Sequence, residues 1–324
     1  MWRFKPILKQ TIWGGSRIAA FKGEEPSSPR DSRIGETYEL SGMPGHESVV
    51  ACGPEAGMTL HELIRRHGLS LLGRKNVERT GLEFPLLVKF LDASSDLSVQ
   101  VHPDDKTAPR FGLPNGKSEL WYVLEASPEA RLCAGFSTPL SRDEYLGIVS
   151  AGTITDHLHF TPVKAGEVYY IPGGTVHSLC KGCLVLEIQQ PSDTTFRIYD
   201  YDRPDINGRK RELHTAQALE SLDLRRCGEG SQVLYPDERE TASGLLSTRH
   251  FTVNRMHISY RLHRDYKDVE SFKVLVVASG SVDVTDSTGT EHATRGTVLL
   301  IGADEREVCV APHGGDAVII ETYV

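Results

Sequence analysis

The sequence predicts a mainly β fold, in which a double-sheet jelly-roll barrel carries a small helical insertion and is followed by a second, smaller β unit. Short runs of alternating apolar and polar residues recur along the 324 residues, separated by turns that contain glycine, proline or aspartate. From about residue 232 onward these runs follow one another at the spacing of a sandwich or jelly roll. We therefore predict two units, residues 1–225 and residues 226–324, the second a β-sandwich.

Three helices interrupt this pattern. Two of them begin with a hydroxyl residue followed three positions later by glutamate, the capping-box arrangement, at Thr59 with Glu62 and at Ser141 with Glu144. The first helix is predicted from Thr59 to about Leu72, inside an insertion that covers about residues 55–80. A third helix is predicted over His214–Leu222.

The strand predictions fall on both sides of these helices. In the first unit they are Phe84–Phe90, Leu97–Val101, Leu120–Leu124, Arg131–Phe136, Tyr169–Ile171 and Cys183–Gln189. In the second unit they are Phe272–Ala278, Ser281–Val284, Thr297–Ile301, Glu307–Val310 and Ala317–Thr322. The run Gly296–Gly302 faintly echoes Gly166–Gly173, which suggests a second β unit of the same kind as the first.

Charge and composition exclude several classes of function. The formal net charge of −8 argues against a general nucleic-acid or membrane binder, since both partners are anionic. No stretch approaches the roughly 18–20 apolar residues of a membrane span, and the start of the chain is broken by charge and proline, unlike a signal peptide. We therefore expect a cytoplasmic protein whose six cysteines are mostly thiols.

Four side chains on or beside strand-like runs predict a metal site. Gln100 and His102 are two residues apart on one predicted strand, so their side chains leave the same face. Glu119 precedes an aromatic strand, and His177 follows a turn rich in glycine and proline. Two imidazoles and one carboxylate on rigid strands can hold a divalent metal and leave a position for substrate. Taken singly, each has a simpler reading, such as His102 capping a turn or Glu119 lying in solvent.

The segment that ends at His177 resembles the second sequence motif of the cupin family, small double-sheet β-barrels that often bind a metal. The pattern is Gly166, Pro172, Gly174 and His177 at the spacing of that motif. Lys181 stands where the family usually has asparagine. The resemblance implies that the first unit is a cupin barrel, that His177 points into its mouth, and that the C-terminal unit is cupin-like.

Residues 1–220, about two-thirds of the chain, resemble type I mannose-6-phosphate isomerase in its short bacterial form. The segments that carry this resemblance are Trp13–Gly15, Gly35–Glu39, Phe84–Lys89, Leu97–Asp105, Gly116–Tyr122, Pro172–His177 and Leu186–Arg203. The His-Pro-Asp-Asp stretch and the run from Ser192 to Arg197 are the most specific of them.

This resemblance implies an enzyme that interconverts mannose 6-phosphate and fructose 6-phosphate with one zinc ion per chain. It implies that Gln100, His102, Glu119 and His177 are the zinc ligands and that Arg197 is the active-site arginine. The reaction moves a proton between C2 and C1 of the open-chain sugar through an enediol. A Lewis acid suits it, because charge accumulates on the carbonyl oxygen.

The group that carries the proton is left open between three candidates. Arg197 is a poor base because its guanidinium stays charged, so its fitting role is to stabilise the enediolate. Lys117, two residues before Glu119, is the favoured carrier, and Glu187 and Asp193 are the alternatives.

Candidates for substrate binding are assigned from residue type and position. The candidates for binding the 6-phosphate are Ser98, Lys89 and Arg203. Glu187 is assigned to substrate binding if it does not carry the proton. Lys89 lies in a very apolar strand, so we expect it to meet a carboxylate or an anion there. The run from Arg209 to Arg211 is expected to be a solvated turn.

The pair Cys180 and Cys183 is a weak signal for zinc or redox chemistry, because there is no second pair. Lys181 and Gly182 between them predict a tight hairpin whose thiols are cross-strand neighbours.

Two other functions remain open at the level of sequence. Two histidines and a carboxylate also describe the facial triad of non-haem Fe(II) oxygenases. Gln100 as a fourth ligand, with Arg197 opposite the metal, argues against that class. The other alternative is a sugar-phosphate-binding module without turnover. An assay for fructose 6-phosphate formation separates it from the isomerase.

Overall fold

A computed structural model describes residues 1–24, 33–205, 207–228 and 230–324, and it is mainly β, as the sequence predicts. The strands among these residues, numbered in chain order, are β1 (Trp2–Lys5), β2 (Ile7–Gly15), β3 (Ile34–Met43), β4 (His46–Glu47), β5 (Val49–Val50), β6 (Leu87–Asp92), β7 (Val99–Val101), β8 (Glu119–Ala126), β9 (Arg131–Phe136), β10 (Leu158–Pro162), β11 (Val168–Ile171), β12 (His177–Leu179), β13 (Cys183–Gln189), β14 (Phe196–Tyr199), β15 (Gln232–Val233), β16 (Ala242–Ser247), β17 (Thr252–Ile258), β18 (Leu262–Asp265), β19 (Lys273–Ser279), β20 (Ser281–Asp286), β21 (Gly289–Thr294), β22 (Val298–Ile301), β23 (Glu307–Pro312) and β24 (Ala317–Tyr323).

The helices are short. They are α1 (Arg17–Lys22), α2 (Leu60–His67), α3 (Leu69–Leu72), α4 (Arg74–Thr80), α5 (Arg142–Ala151) and α6 (Thr215–Ser221), with 3-10 turns at Ala108–Phe111 and Ile154–His157. Both predicted capping boxes are confirmed, at the starts of α2 and α5. The prediction of one helix from Thr59 to Leu72 is wrong, because Gly68 takes a positive φ of 52°, which ends α2 before α3 begins. None of the described helices has the length and apolarity needed to cross a membrane.

The first two sheets of the described chain enclose a barrel. One has the strand order β10-β9-β12-β7-β14, and the other has the order β15-β11-β8-β13-β6-β3-β2, with β4 beside β3. Apolar side chains from both sheets fill the space between them, including Leu132 and Leu179 from the first sheet and Trp121 and Val185 from the second. This is the barrel that the resemblance implies, and the polar site described below lies inside it.

Two further sheets form the C-terminal part, in the orders β16-β17-β24-β19-β22-β1-β5 and β18-β23-β20-β21. A separate apolar core, with Leu275 and Val310 among its members, lies between them. The outer face of the large barrel sheet packs on this part through Leu186 and Val276, which belong to one continuous core. Strand β1, from the first predicted unit, pairs with β22 of the second, and β15, from the second unit, pairs with β11 of the first. Each predicted unit therefore contributes a strand to a sheet of the other. The division at residue 225 stays a prediction.

The turn between Cys180 and Cys183 is not the hairpin predicted from the sequence. Strand β12 pairs with β7 and β9, whereas β13 pairs with β6 and β8, so the turn joins the two barrel sheets. The two cysteines are free thiols. The prediction of cross-strand thiols is therefore wrong, since a short glycine turn connects two layers as easily as two neighbouring strands.

The turn that precedes His177 packs tightly against the segment that follows His102. Gly174 has φ 88° and donates its backbone N–H to the carbonyl of His102 at 2.8 Å. A Cβ at Gly173 would come within 2.7 Å of the Asp104 Cα. Glycine is needed at both positions, one for its dihedral angle and the other for its lack of a side chain. This contact brings the two histidines together.

Candidate active site

Three side chains form a row across the smaller barrel sheet. Gln100 on β7 lies directly opposite His177 on β12 and, on its other side, opposite Arg197 on β14. Residues that are directly opposite in antiparallel strands project from the same face of the sheet. The row therefore presents an imidazole, an amide and a guanidinium to one side, although these residues are far apart in the sequence.

A second row crosses the larger barrel sheet. Trp121, Glu187, Lys89 and Tyr38 are directly paired on β8, β13, β6 and β3. Glu119 lies two residues before Trp121 on β8 and therefore shares its face. Contacts between Glu119 and the histidines of the other sheet show that the two rows face each other across the barrel interior.

The predicted metal ligands converge where the two rows meet. The Nε2 atoms of His102 and His177 are 3.1 Å apart. Glu119 places Oε2 at 3.4 Å from His102 Nε2 and Oε1 at 3.5 Å from His177 Nε2. The amide nitrogen of Gln100 lies 3.2 Å from His177 Nε2. His102, Glu119 and His177 are completely or almost completely buried, and their donor atoms lie within 4.8 Å of one another.

The hydrogen bonds of the two imidazoles show that this cluster fits a cation. His102 Nδ1 lies 2.8 Å from the carbonyl of Thr194, and His177 Nδ1 lies 2.9 Å from the carbonyl of Thr175. Each Nδ1 must therefore carry the proton, which leaves both Nε2 lone pairs facing each other. Neither oxygen of Glu119 accepts a hydrogen bond of good geometry from a described residue. The Lys117 ammonium supplies one positive charge to these four donor atoms, at 2.8 Å from Glu119 Oε2 and 2.9 Å from His102 Nε2. A divalent cation between the two imidazoles and the carboxylate would satisfy their lone pairs together.

The protonation states favour metal binding as well. Burial, followed by the nearby Lys117 ammonium, lowers the pKa of His102 to about 3, so the imidazole is neutral at physiological pH. Burial alone would raise the pKa of Glu119, but Lys117 and the two histidines hold it well below its ordinary value. Two neutral imidazoles and an ionised carboxylate are the donor set of a catalytic divalent-metal site.

Lys117 connects this cluster to the neighbouring cavity. Its ammonium lies 2.8 Å from Glu119 Oε2 and 2.9 Å from His102 Nε2, and its side chain is buried. Its backbone N–H bonds to the carbonyl of Pro103, which fixes the approach of the chain to β8. Lys117 and Gln100 both contact the cluster and line the cavity. A group bound in the cavity would therefore be within reach of the cluster.

The cavity has a volume of about 360 Å³ and a mostly polar wall. The residues predicted from the sequence that line it are Lys89, Ser98, Gln100, Lys117, Glu187, Asp193 and Arg197. The fold thus brings the predicted substrate-binding and catalytic side chains together beside the metal-ligating cluster. Their roles remain predictions.

Lys89 meets carboxylates, as its apolar strand suggested. Its ammonium lies 3.3 Å from Glu36, 3.5 Å from Glu187 and 3.7 Å from Asp193, and 4.6 Å from the centre of the Tyr38 ring. Burial and the nearby Glu119 raise the pKa of Glu187. Lys89 is therefore neutralised by the protein itself, and Glu187 is closer to neutrality than an ordinary glutamate.

Ser98 and Arg197 have simpler surroundings. The Ser98 hydroxyl donates to the side-chain oxygen of Gln100 at 3.2 Å. One terminal nitrogen of Arg197 donates to the carbonyl of Glu212 at 2.8 Å, whereas its buried Nε has no hydrogen-bond partner among the described residues. Arg197 thus retains donor capacity on the cavity wall.

Sequence reasoning missed Arg211 as a cavity residue. Its side chain lines the cavity and is held by Asp200, whose Oδ2 accepts from Arg211 Nε at 2.6 Å. The expectation of a solvated turn is wrong for this residue of the run. Arg203, a predicted phosphate candidate, also bonds to Asp200 and is not among the residues that line the cavity. No local pattern distinguishes the two arginines, since only the fold aims one of them inward.

Asp105 organises the segment that carries Lys117 and Glu119. Its Oδ1 accepts from the backbone N–H of Gly116 and from the side chain of Gln190, both at 2.9 Å, and Gln190 in turn accepts from the backbone N–H of Ser118 at 2.9 Å. The other oxygen of Asp105 pairs with Arg249 of the C-terminal part at 2.7 Å. Asp105 therefore fixes the approach to β8 without lining the cavity.

Comparisons with known proteins give the family. The family described as "Phosphomannose isomerase type I, catalytic domain" matches residues 1–129. The chain is 37% identical over 258 residues to mannose-6-phosphate isomerase ManA of Bacillus subtilis (strain 168), covering 79% of each chain. It is 37% identical over 252 residues to mannose-6-phosphate isomerase of Streptococcus mutans, covering 78% of this chain and 77% of that one.

A solved structure agrees over the whole chain. The crystal structure of mannose 6-phosphate isomerase from Bacillus subtilis superposes with a TM-score of 0.88 and 31% identity, covering 100% of this chain and 99% of that chain. Identity and coverage of this size, together with the matched catalytic domain, extend the likeness well beyond shared architecture. The chain belongs to the type I phosphomannose isomerase family.

Proposed function

We propose that the chain interconverts D-mannose 6-phosphate and D-fructose 6-phosphate and that its cofactor is one zinc ion per chain. One observation carries the proposal: a buried cluster of His102, Glu119 and His177 opens through Gln100 and Lys117 onto a polar cavity lined by basic side chains. The names of the relatives supply the substrate, two imidazoles with a carboxylate are a donor set of catalytic zinc, and Gln100 as a fourth ligand argues against an Fe(II) oxygenase site.

The chemistry divides between the metal and the protein. Zinc held by these residues would supply a Lewis acid toward the oxygen atoms at C1 and C2 of the open-chain sugar. The proton at C2 of mannose 6-phosphate, which is alpha to the aldehyde, passes to a base of the protein and returns at C1, which yields the ketose. The hydroxyl proton at O2 moves to O1 in the same reaction, so no other reactant is consumed, and one group of the protein accepts and returns the carbon-bound proton.

Lys117, Glu187 and Asp193, which all line the cavity, are the candidates for this group. Lys117 contacts the His102, Glu119 and His177 cluster and lines the cavity, so its amine would lie beside the reacting carbons of a sugar bound there. Glu187 lines the same cavity, and its raised pKa brings a carboxylate toward the range that suits a proton carrier. We favour Lys117 because of its position. Arg197 stabilises the negative charge of the enediolate, since its Nε has no partner among the residues that the structure describes and can donate.

The phosphate is proposed to bind on the basic wall of the cavity. Arg197 and Arg211 line this wall, whereas Lys89 is already surrounded by three carboxylates and is less suited to a dianion. Lys89 and Glu187 instead suit the hydroxyl groups of the sugar, and Ser98 is placed to orient Gln100 or to contact substrate. A phosphorylated sugar and cysteines that stay free also support a cytoplasmic location.

A coupled assay for fructose 6-phosphate tests the proposal. The purified chain should form it from mannose 6-phosphate, lose this activity after treatment with a chelator, and recover it with Zn²⁺. His102→Ala should lose both zinc and activity, whereas His263→Ala, a change of an exposed histidine, should retain both. Iron in the purified protein together with oxygen consumption would overturn the proposal. So would tight binding of mannose 6-phosphate without any product.

A further inference from the structure

A second cluster of metal-ligating side chains lies on the C-terminal part, far from the candidate active site in the sequence. Asp283, His292 and His313 place one donor atom each within 4.8 Å of the others. They belong to three neighbouring segments of one sheet, namely β20, β21 and the end of β23. The proposed isomerase activity does not use their side chains.

Strand register brings the three residues to one face. Asp283 lies directly opposite His292 on β21 and, on its other side, opposite Ala311 on β23. His313 is two residues beyond Ala311 and so projects to the same side. The neighbouring positions Val282 and Val310 point into the apolar core, so this face is the outer one. The three side chains are between 42% and 67% exposed to solvent.

The backbone holds the third ligand in place. The N–H of His313 donates to the carbonyl of Ser281 at 2.8 Å, and the Ser281 hydroxyl donates to the carbonyl of His313 at 3.0 Å. This pair of bonds fixes His313 beside β20 although the strand has ended. The His292 and His313 rings lie edge to face, with centroids 5.3 Å apart. All three ligands therefore come from a fixed backbone, and only their side chains need to adjust.

The distances suit a transition metal after small rotations. Asp283 Oδ1 is 2.7 Å from His292 Nδ1, and Asp283 Oδ2 is 3.9 Å from His313 Nδ1. Ligands about 2.0–2.2 Å from one Zn²⁺ lie roughly 3.3 Å from each other in a tetrahedral site. The observed separations bracket this value. The interaction that a metal would displace is an exposed Asp–His contact, which contributes little by itself.

We propose that Asp283, His292 and His313 form a second divalent-metal site, selective for Zn²⁺, Ni²⁺ or Cu²⁺, with water in the remaining positions. Two imidazoles favour these ions over Mg²⁺ and Ca²⁺, which prefer oxygen ligands. The site is separate from the cluster in the barrel, and it does not depend on the isomerase reaction being the right one.

Metal stoichiometry tests this site directly. Chelator-treated protein is dialysed against Zn²⁺, and bound zinc is counted by mass spectrometry for the wild type, His313→Ala, Asp283→Asn and His263→Ala. His263 is the matched control, because it lies opposite Cys309 on the same outer face but outside the cluster. Occupancy of the barrel site cancels in the comparison. Isomerase activity serves only as a check that each variant is folded.

The expected result is one equivalent of zinc fewer in His313→Ala and in Asp283→Asn than in the wild type, with His263→Ala equal to the wild type. Titration with Mg²⁺ should give no such difference. Equal zinc in His313→Ala and the wild type overturns the proposal. An equal loss in His263→Ala overturns it as well, because it would show diffuse binding to surface histidines.

Discussion

Replacing Lys89 with methionine tests the charge network on the cavity wall. Lys89 is 4% exposed, and its ammonium faces Glu36, Glu187 and Asp193 at 3.3–3.7 Å. Methionine has a similar length and shape, so the change removes the charge with little change of packing. Three carboxylates would then lie close together without the cation that neutralises them.

The expected loss of stability follows from these distances. One pair of opposite charges about 3.5 Å apart interacts by about 4–5 kcal/mol at an effective dielectric constant of about 20. The cost of burying the ammonium, which the variant no longer bears, offsets part of the three interactions. Removing one partner of a buried ion pair usually costs about 3–5 kcal/mol, and we expect Lys89→Met to lie in that range near pH 7.

The difference in free energy of unfolding between the wild type and Lys89→Met should be smaller at acidic pH. Burial alone would raise the pKa of Asp193, but Lys89 and the hydrogen bond from Tyr38 lower it, so its ionised form stabilises the folded wild type at neutral pH. Without Lys89 the pKa of Asp193 rises, and that of Glu187, which is already raised, rises further. The folded variant therefore takes up protons at a higher pH than the folded wild type does, and its stability falls less as the pH is lowered.

Urea unfolding near pH 7 and near pH 5, without substrate, measures both effects. Lys75→Met is the control, since Lys75 pairs with Glu270 at 3.4 Å but is largely exposed. It should stay within about 1 kcal/mol of the wild type at both pH values. The reasoning would be refuted by a Lys89→Met protein that unfolds within about 1 kcal/mol of the wild type near pH 7.

Three further predictions concern the site. Arg197→Ala should keep its zinc but lose roughly 10²–10³ in kcat, whereas Arg209→Ala, a change of an exposed arginine, should keep both its zinc and its kcat; unchanged turnover of Arg197→Ala would contradict the enediolate role. Gly173→Ala should lower the free energy of unfolding by about 1–3 kcal/mol and lower the zinc affinity, because the new Cβ would meet Asp104. A Cβ at Gly147 meets nothing within 4 Å, so the control Gly147→Ala should not destabilise the protein. Calorimetry and zinc titration compare the two variants. In heavy water the product should gain deuterium at the carbon that receives the proton, and complete absence of label would favour a hydride shift or a shielded base.

The sequence predicts more of the metal centre than of the substrate cavity. Gln100 and His102 are recognisable because a two-residue spacing on a strand puts both on one face, and the glycine turn before His177 is a local pattern. The fold then places them as that pattern suggests, with β12 beside β7. Local sequence periodicity is enough to predict a site residue when the strand or turn that carries it decides which way its side chain points.

The cavity depends on pairing between distant strands, which local patterns do not encode. Arg211 lies next to Asp200 and inside the cavity because of the path of the chain after β14, and its sequence looks like any basic turn. The prediction of a hairpin between Cys180 and Cys183 was wrong for the same reason. Whether a short turn joins strands within a sheet or between sheets is decided by core packing across the whole barrel.

Anomalous diffraction at the zinc absorption edge, from crystals of active enzyme, tests the central claim most directly. We predict one strong peak in the barrel, about 2.0–2.2 Å from His102 Nε2, His177 Nε2 and a carboxylate oxygen of Glu119. An active crystal with no anomalous peak between these three side chains would contradict the account, because isomerisation would then proceed without a metal in the barrel.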